Sequence, residues 1–153
     1  MDITNSDLIA IGSALVAGLS ALYARWAVKA AKHQNEIAIH GERLKVYIGV
    51  GYFCSNLTQK GSSINENDVR SFHEWVLLSE FYFNKSIHQR LDAEFSNSLD
   101  LQSKNDELLL AKQEGKSNLS ELSDQTKSIS RNLRDECISI RDSMKDDLRL
   151  AKV

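Results

Sequence analysis

Residues 8–28, LIAIGSALVAGLSALYARWAV, decide the architecture. From Leu8 to Ala24 no side chain except that of Tyr23 can ionise, and with Arg25 reaching past the apolar run the segment extends to Val28. Its 21 residues would span about 31 Å as a helix, enough to cross a hydrocarbon core of about 30 Å. A cleaved signal peptide fits less well, because the preceding residues carry Asp2 and Asp7 and no base, and no small-residue pair marks a cleavage site. The spacing therefore predicts a transmembrane helix over 8–28 behind a short extracytoplasmic tail, 1–7.

The flanks orient it. Arg25, Lys29, Lys32, Arg43 and Lys45 against Glu36 and Glu42 leave +3 just after the span, whereas the N-terminal tail is acidic. The positive-inside bias predicts an outside N-terminus and a cytoplasmic C-terminal body. Tyr23 and Trp26 stand where an interfacial aromatic belt is expected, so Tyr23, Arg25, Trp26, Lys29 and Lys32 form the expected membrane-interface set.

Within the span, Ala10, Ala14 and Gly18 recur every fourth residue, and Ser13, Ala17 and Ala21 make a second stripe beside them. Small side chains at this spacing let helix backbones approach closely. Two adjacent small faces exceed the need of one helix pair, and these six residues are the expected oligomerisation surface of a homo-oligomer. The alternative is that Ala and Ser merely fill a moderately apolar anchor.

Outward from the span, helix continues to be the expectation. The 153 residues contain no proline, where average usage of about 5% would supply several, and only seven glycines. One helix is predicted from about Asp7 to Asn56, its 29–57 portion juxtamembrane, with Ile37, Leu44, Tyr47, Ile48, Gly51 and Cys54 at helical spacing. TQKGSSINEN, 58–67, reads as the loop that ends it.

The remainder, 68–153, is expected to be a helical body. A second helix starts near Asn67 or Asp68 and runs through Val69, Phe72, Val76, Phe83, Ile87 and Leu91; Trp75, Leu77, Leu78, Phe81 and Tyr82 widen its apolar face enough to predict a core helix covered by several neighbours. Leu99, Leu101 and Leu108 to Leu110 anchor a weaker extension or a separate helix up to Gly115. Asn118 and Glu121 have capping-box spacing before a long amphipathic helix, Leu119 to Leu150, whose stripe is Leu119, Leu122, Ile129, Leu133, Cys137, Ile140, Met144 and Leu148. That narrow stripe suits a bundle, which the broad second helix requires, or a coiled-coil seam with another subunit. The fold class is thus all-α: an N-terminal transmembrane helix continuing into a cytoplasmic antiparallel helical bundle.

Chemistry is harder to find. The overall formal charge is −2, and the body after Val46 holds 14 basic and 17 acidic residues, so direct nucleic-acid binding is not expected. His33, Glu36 and His40 share a helix face, but three ligands on one straight helix are too spread to close on one ion; a solvated face is the expectation, as it is for Asp146 and Asp147. Phosphate loops, nucleophile elbows and CxxC pairs are missing, and two cysteines, Cys54 and Cys137, do not make a disulfide framework. Helical ribonucleases of the HEPN type separate arginine and histidine by four to six residues; Arg70 and His73 have two between them. No catalytic residue, cofactor or metal is expected, and the chain does not read as an enzyme.

EIAIHGERLKVY at 36–47 resembles the juxtamembrane motif, IAxHxxRLxVY-like, of uncharacterised bacterial single-pass membrane proteins with an N-terminal anchor and a helical cytoplasmic body, and EFYFNKSIHQRLD at 80–92 is similar to the aromatic helix that follows in them. The resemblance implies topology and a bacterial source. Some proteins of this general build sit in antiphage or mobile-element loci, including pore-forming membrane accessories of RNA-targeting CRISPR systems. The expected function is a membrane-anchored homo-oligomer, a pore or membrane-disturbing effector or accessory in bacterial stress or antiviral defence. The alternative is a non-pore tether or adaptor whose partner is a cytosolic protein; in both readings the lipid bilayer is the first partner.

Overall fold

The computed structural model describes residues 5–115 and 118–150. Among them are four helices and no strands: α1 (Asn5–Lys60), α2 (Glu66–Tyr82), α3 (Lys85–Gln113) and α4 (Leu119–Leu150). The chain divides into two units, Met1–Ile39 and His40–Val153, and α1 contributes residues to both. The all-α class and the long apolar N-terminal helix are as the sequence predicts.

The first unit is helix with no intramolecular cover: every described side chain from Ile9 to Ile39 is exposed. Among the described residues this is the one helix long and apolar enough to cross a membrane.

The second unit is an antiparallel four-helix bundle. Pairings of rising with falling residue numbers fix the direction: Phe53 stacks on Phe72 and Gly49 faces Trp75 between α1 and α2, while Cys54 meets Cys137 and Tyr47 meets Arg141 between α1 and α4. Between α2 and α3, His73 stacks on Phe95 and Ser79 reaches His88. The core collects Val46, Val50, Phe53 and Leu57 of α1, Val69, Phe72 and Val76 of α2, Ile87, Leu91 and Leu101 of α3, and Leu133, Ile140, Met144 and Leu148 of α4. α4 follows its predicted stripe closely, with Thr126 and Ser130 taking buried positions in the same register.

Several expectations are corrected. On α1 the buried stripe is Val46, Val50, Phe53, Cys54 and Leu57, and Leu44 and Ile48 face outward, because the helix face is set by where α2 and α4 pack and not by apolarity alone. The loop is shorter than 58–67: α1 runs to Lys60, Gly61 takes φ +59, and Asn65 caps α2. In that capping box Asn65 accepts from Asp68 N–H and Asp68 accepts from Asn65 N–H, so the start lies ahead of Asn67.

The second predicted helix does not continue to Leu91. It breaks at Phe83, which turns to extended backbone at φ −119 and ψ 167, and Asn84 caps α3 by accepting from Ile87 N–H at 3.0 Å. Asn competes with the helical backbone through its own carbonyl, and the break lets Phe83 bury while α3 folds back on α2. α2 is not enclosed either: Leu77 and Phe81 are 52% and 77% exposed and Leu78 is exposed beside them. On α3, Leu101 is buried but Leu99, Leu109 and Leu110 are exposed.

The two cysteines form a bridge. Cys54 of α1 and Cys137 of α4 are 83 residues apart with Cα atoms 5.9 Å from each other, joined as a disulfide inside the core. A single cross-link of this kind carries no spacing signal in the sequence. In the chain-entropy picture it removes about 4 to 5 kcal/mol of unfolded-state freedom, an upper bound on its contribution. The paired substitution Cys54→Ala with Cys137→Ala is expected to lower the unfolding midpoint of the non-reduced protein and to abolish its sensitivity to dithiothreitol, followed by circular dichroism.

Gly49 answers to packing. A Cβ built there would lie 2.3 Å from the Trp75 indole carbons, so α1 and α2 approach through this missing side chain. Gly49→Ala gains helix propensity of about 1 kcal/mol yet forces the indole aside, an overpacking cost of about 1 to 3 kcal/mol. Denaturant titration should find this variant no more stable than the parent, and Gly49→Val clearly less so.

Candidate functional site

The six small residues expected to mediate association, Ala10, Ser13, Ala14, Ala17, Gly18 and Ala21, all lie on the exposed part of α1. Ser13 Oγ donates to Ile9 O at 2.8 Å, which satisfies the hydroxyl within its own helix, as an apolar surrounding demands. Nothing lies within 4 Å of a Cβ built at Gly12 or Gly18. Tyr23 and Trp26 are fully displayed at the end of the run, followed by Arg25, Lys29 and Lys32, none of which makes an ion pair among the described residues. His33 Nδ1 stands 4.0 Å from Glu36 Oε2 on an exposed face, and no group of three His, Cys, Asp or Glu side chains converges among the described residues.

Polar chemistry is concentrated instead between helices of the body, where the sequence offered no motif. Arg90 of α3 grips three successive positions of one α4 face: Nε donates to Glu136 Oε1 at 2.8 Å, Nη2 to Ser139 Oγ at 2.8 Å and Nη1 to Ser143 Oγ at 3.2 Å. One turn further on α3, Glu94 is 5% exposed; its Oε1 accepts from Asn97 Nδ2 at 2.9 Å and its Oε2 has no hydrogen-bond partner among the described residues. Burial pushes the Glu94 carboxyl above the usual range, with Asn97 opposing, Glu136 adding repulsion and Arg90 opposing. The only sequence signal for this pair was an acid one helical turn from an arginine, a pattern that ordinarily marks a solvated face.

At the α1–α2 joint, Asp68 collects Asn56 Nδ2 at 2.9 Å, Lys60 Nζ at 2.7 Å and Asn65 N–H at 3.0 Å. Partial burial works to raise its pKa, but these donors and the Lys60 charge prevail and hold it below the ordinary value. At the α2–α3 joint Ser79 Oγ donates to Val76 O at 2.6 Å and shares a hydrogen bond of 3.0 Å with His88 Nδ1. Ser79 is buried, and its contacts join α2 to α3.

No protein-family model, no curated protein and no solved structure matches the chain.

The two carboxylates predict opposite pH behaviour. Asp68, depressed in the fold, contributes stability above its unfolded pKa, and this is lost as pH falls through its lower folded value. Glu94, raised in the fold, favours the folded state below its ordinary 4.5 and loses that contribution as pH rises through its folded pKa. Glu94→Gln keeps an acceptor for Asn97 without a buried charge, so thermal melts should show it more stable than the parent at pH 7, with the difference shrinking as the pH falls through the raised folded pKa and gone once it reaches about 4.5.

Proposed function

We propose that this chain is a single-pass membrane protein that self-associates through its span, with the helical bundle controlling assembly or permeability. The observation that carries the reading is the apolar run of α1, uncovered on every side and bearing two adjacent small-residue faces, Ala10/Ala14/Gly18 and Ser13/Ala17/Ala21. Water does not tolerate such a helix exposed around its whole circumference, lipid does, and close backbone approach is what its small faces favour. In the wider setting suggested by the resemblance to bacterial single-pass proteins, membrane disturbance during stress or phage defence is the output, and no enzymatic step is involved.

Orientation divides into two readings, each with its own observation. The collar Arg25, Lys29 and Lys32 favours a cytoplasmic body in a bacterial inner membrane. The Cys54–Cys137 bridge favours an oxidising compartment instead, since cytosolic thiols are kept reduced. We retain the cytoplasmic reading, because basic residues close to a span govern insertion directly whereas a buried thiol pair packs in either redox state. A reporter fused after Val153 should be active in its cytoplasmic form; activity of a periplasmic reporter would reverse the orientation.

A second function is favoured by the outward apolar residues Leu77, Leu78 and Phe81 of α2, which suit a tether that docks a cytosolic protein. Replacing Gly18 by leucine separates the two. The variant keeps a segment long and apolar enough to insert, so membrane fractionation should be unchanged while the detergent particle shrinks on size-exclusion chromatography with light scattering. A particle that stays large would assign assembly to the body and leave the small residues as filler.

A further inference from the structure

Between the last turn of α1 and the first half of α4 lies a pocket of about 200 Å³, lined by Leu57, Thr58, Gly61 and Ser62 on one side and Lys127, Ser130, Arg131 and Arg134 on the other. Its composition departs from the body around it. The body is net acidic, yet three cations converge here and no carboxylate is in the lining. Lys127, Arg131 and Arg134 are spaced so that one face of α4 carries all three.

Two of these cations are weakly engaged within the protein. Lys127 Nζ is 3.7 Å from Asp124 in an exposed pair and Arg131 has no ion pair among the described residues, whereas Arg134 donates Nε and Nη2 to Asp135 Oδ1 at 3.0 and 2.9 Å. The ordinary role for such residues would be to cap the carbonyls at the end of α1. Among the described residues none of the three donates to an α1 carbonyl, and the turn uses its own amides, Gly61 N–H to Leu57 O and Ser63 N–H to Lys60 O.

The cleft also offers hydroxyls. Ser130 is largely buried, but its Oγ keeps access to solvent and makes no hydrogen bond among the described residues, unlike Thr126 one turn earlier, which donates to Leu122 O. Ser62 likewise leaves its hydroxyl uncommitted, since only its carbonyl is engaged, by Asn105 Nδ2. Two hydroxyls, the Lys127 ammonium and the Arg131 guanidinium around a small cleft form a donor set for a tetrahedral oxyanion, with the Asp135-bound Arg134 beside them, and a guanidinium matches phosphate oxygens bidentately. The volume lies below the roughly 300 Å³ at which pockets for drug-sized ligands begin, so the cleft suits a small group and not an extended molecule.

We propose that this pocket binds a phosphate group, presented either as a free phosphate or small phosphomonoester or as the terminal phosphate of a lipid headgroup. The bound anion would join α1 to α4 near the α1–α2 turn, where the disulfide and the core already link the same two helices. The site belongs to the bundle alone and does not depend on the membrane reading.

The test uses the full chain. In detergent, inorganic phosphate is titrated at constant ionic strength with chloride as the balancing anion, and the unfolding midpoint of the bundle is followed by circular dichroism. In a parallel arm the protein is placed in nanodiscs of phosphatidylcholine with or without phosphatidate. A rise with phosphate supports a soluble ligand, and a rise with phosphatidate alone supports a headgroup. Arg131→Ala, at an exposed position that leaves the core intact, should weaken the response about tenfold or more, with Arg131→Lys between it and the parent. Arg149→Ala, on the same helix but outside the pocket, should leave it unchanged. No response to either phosphate source, or a full response in Arg131→Ala, overturns the proposal.

Discussion

One uninterrupted ladder of backbone hydrogen bonds, from Asn5 to Lys60, carries the rest of the structure. Its early part has no intramolecular cover, and in an apolar surrounding every peptide group must then be satisfied inside the helix itself. Its late part is a wall of the bundle, presenting Val46, Val50, Phe53 and Leu57 to three other helices. A proline in this run would remove a hydrogen bond and kink the helix, and the chain contains none. Glycine is admitted where it is useful: Gly49 gives up helix propensity to let the Trp75 ring lie against the α1 backbone.

The bundle hung from this helix is held at its joints by polar groups and at its centre by apolar ones. Asp68 ties the α1–α2 turn, Ser79 and His88 tie α2 to α3, and Arg90 spans to α4. These contacts orient helices whose attraction comes from burial, since a partly exposed ion pair contributes little by itself. Glu94 is the exception to good satisfaction, a buried carboxylate with one unpartnered oxygen beside a second acid, Glu136. Such a group costs stability at neutral pH and makes the α3–α4 contact sensitive to pH, as Asp68 makes the α1–α2 joint.

Functionally, the two units pose different problems. The early part of α1 offers an exposed apolar surface with small residues at helical spacing, the kind of face that favours close helix packing. The body offers an exposed apolar face on α2 and a cationic cleft between α1 and α4.

Helix content, the existence of the apolar anchor and the register of α4 were legible in the sequence, because each depends on local properties: run length, missing prolines and a period of 3.6 residues. The capped turn near Gly61 was legible for the same reason, though its limits were not. Tertiary structure alone decided which apolar residues of α1 and α2 face inward, since Leu44, Ile48, Leu77 and Phe81 are as apolar as their buried neighbours and differ only in what packs against them. It also decided the break at Phe83 and Asn84, where burying Phe83 and capping with Asn84 outweigh the helical pattern that continues through both. Pairings such as Cys54 with Cys137, Gly49 with Trp75 and Arg90 with Glu136 join positions tens of residues apart, and no periodicity along the chain encodes them. The cationic cleft belongs with these, since Ser62 and Ser130 become neighbours only when α1 and α4 close on a common core.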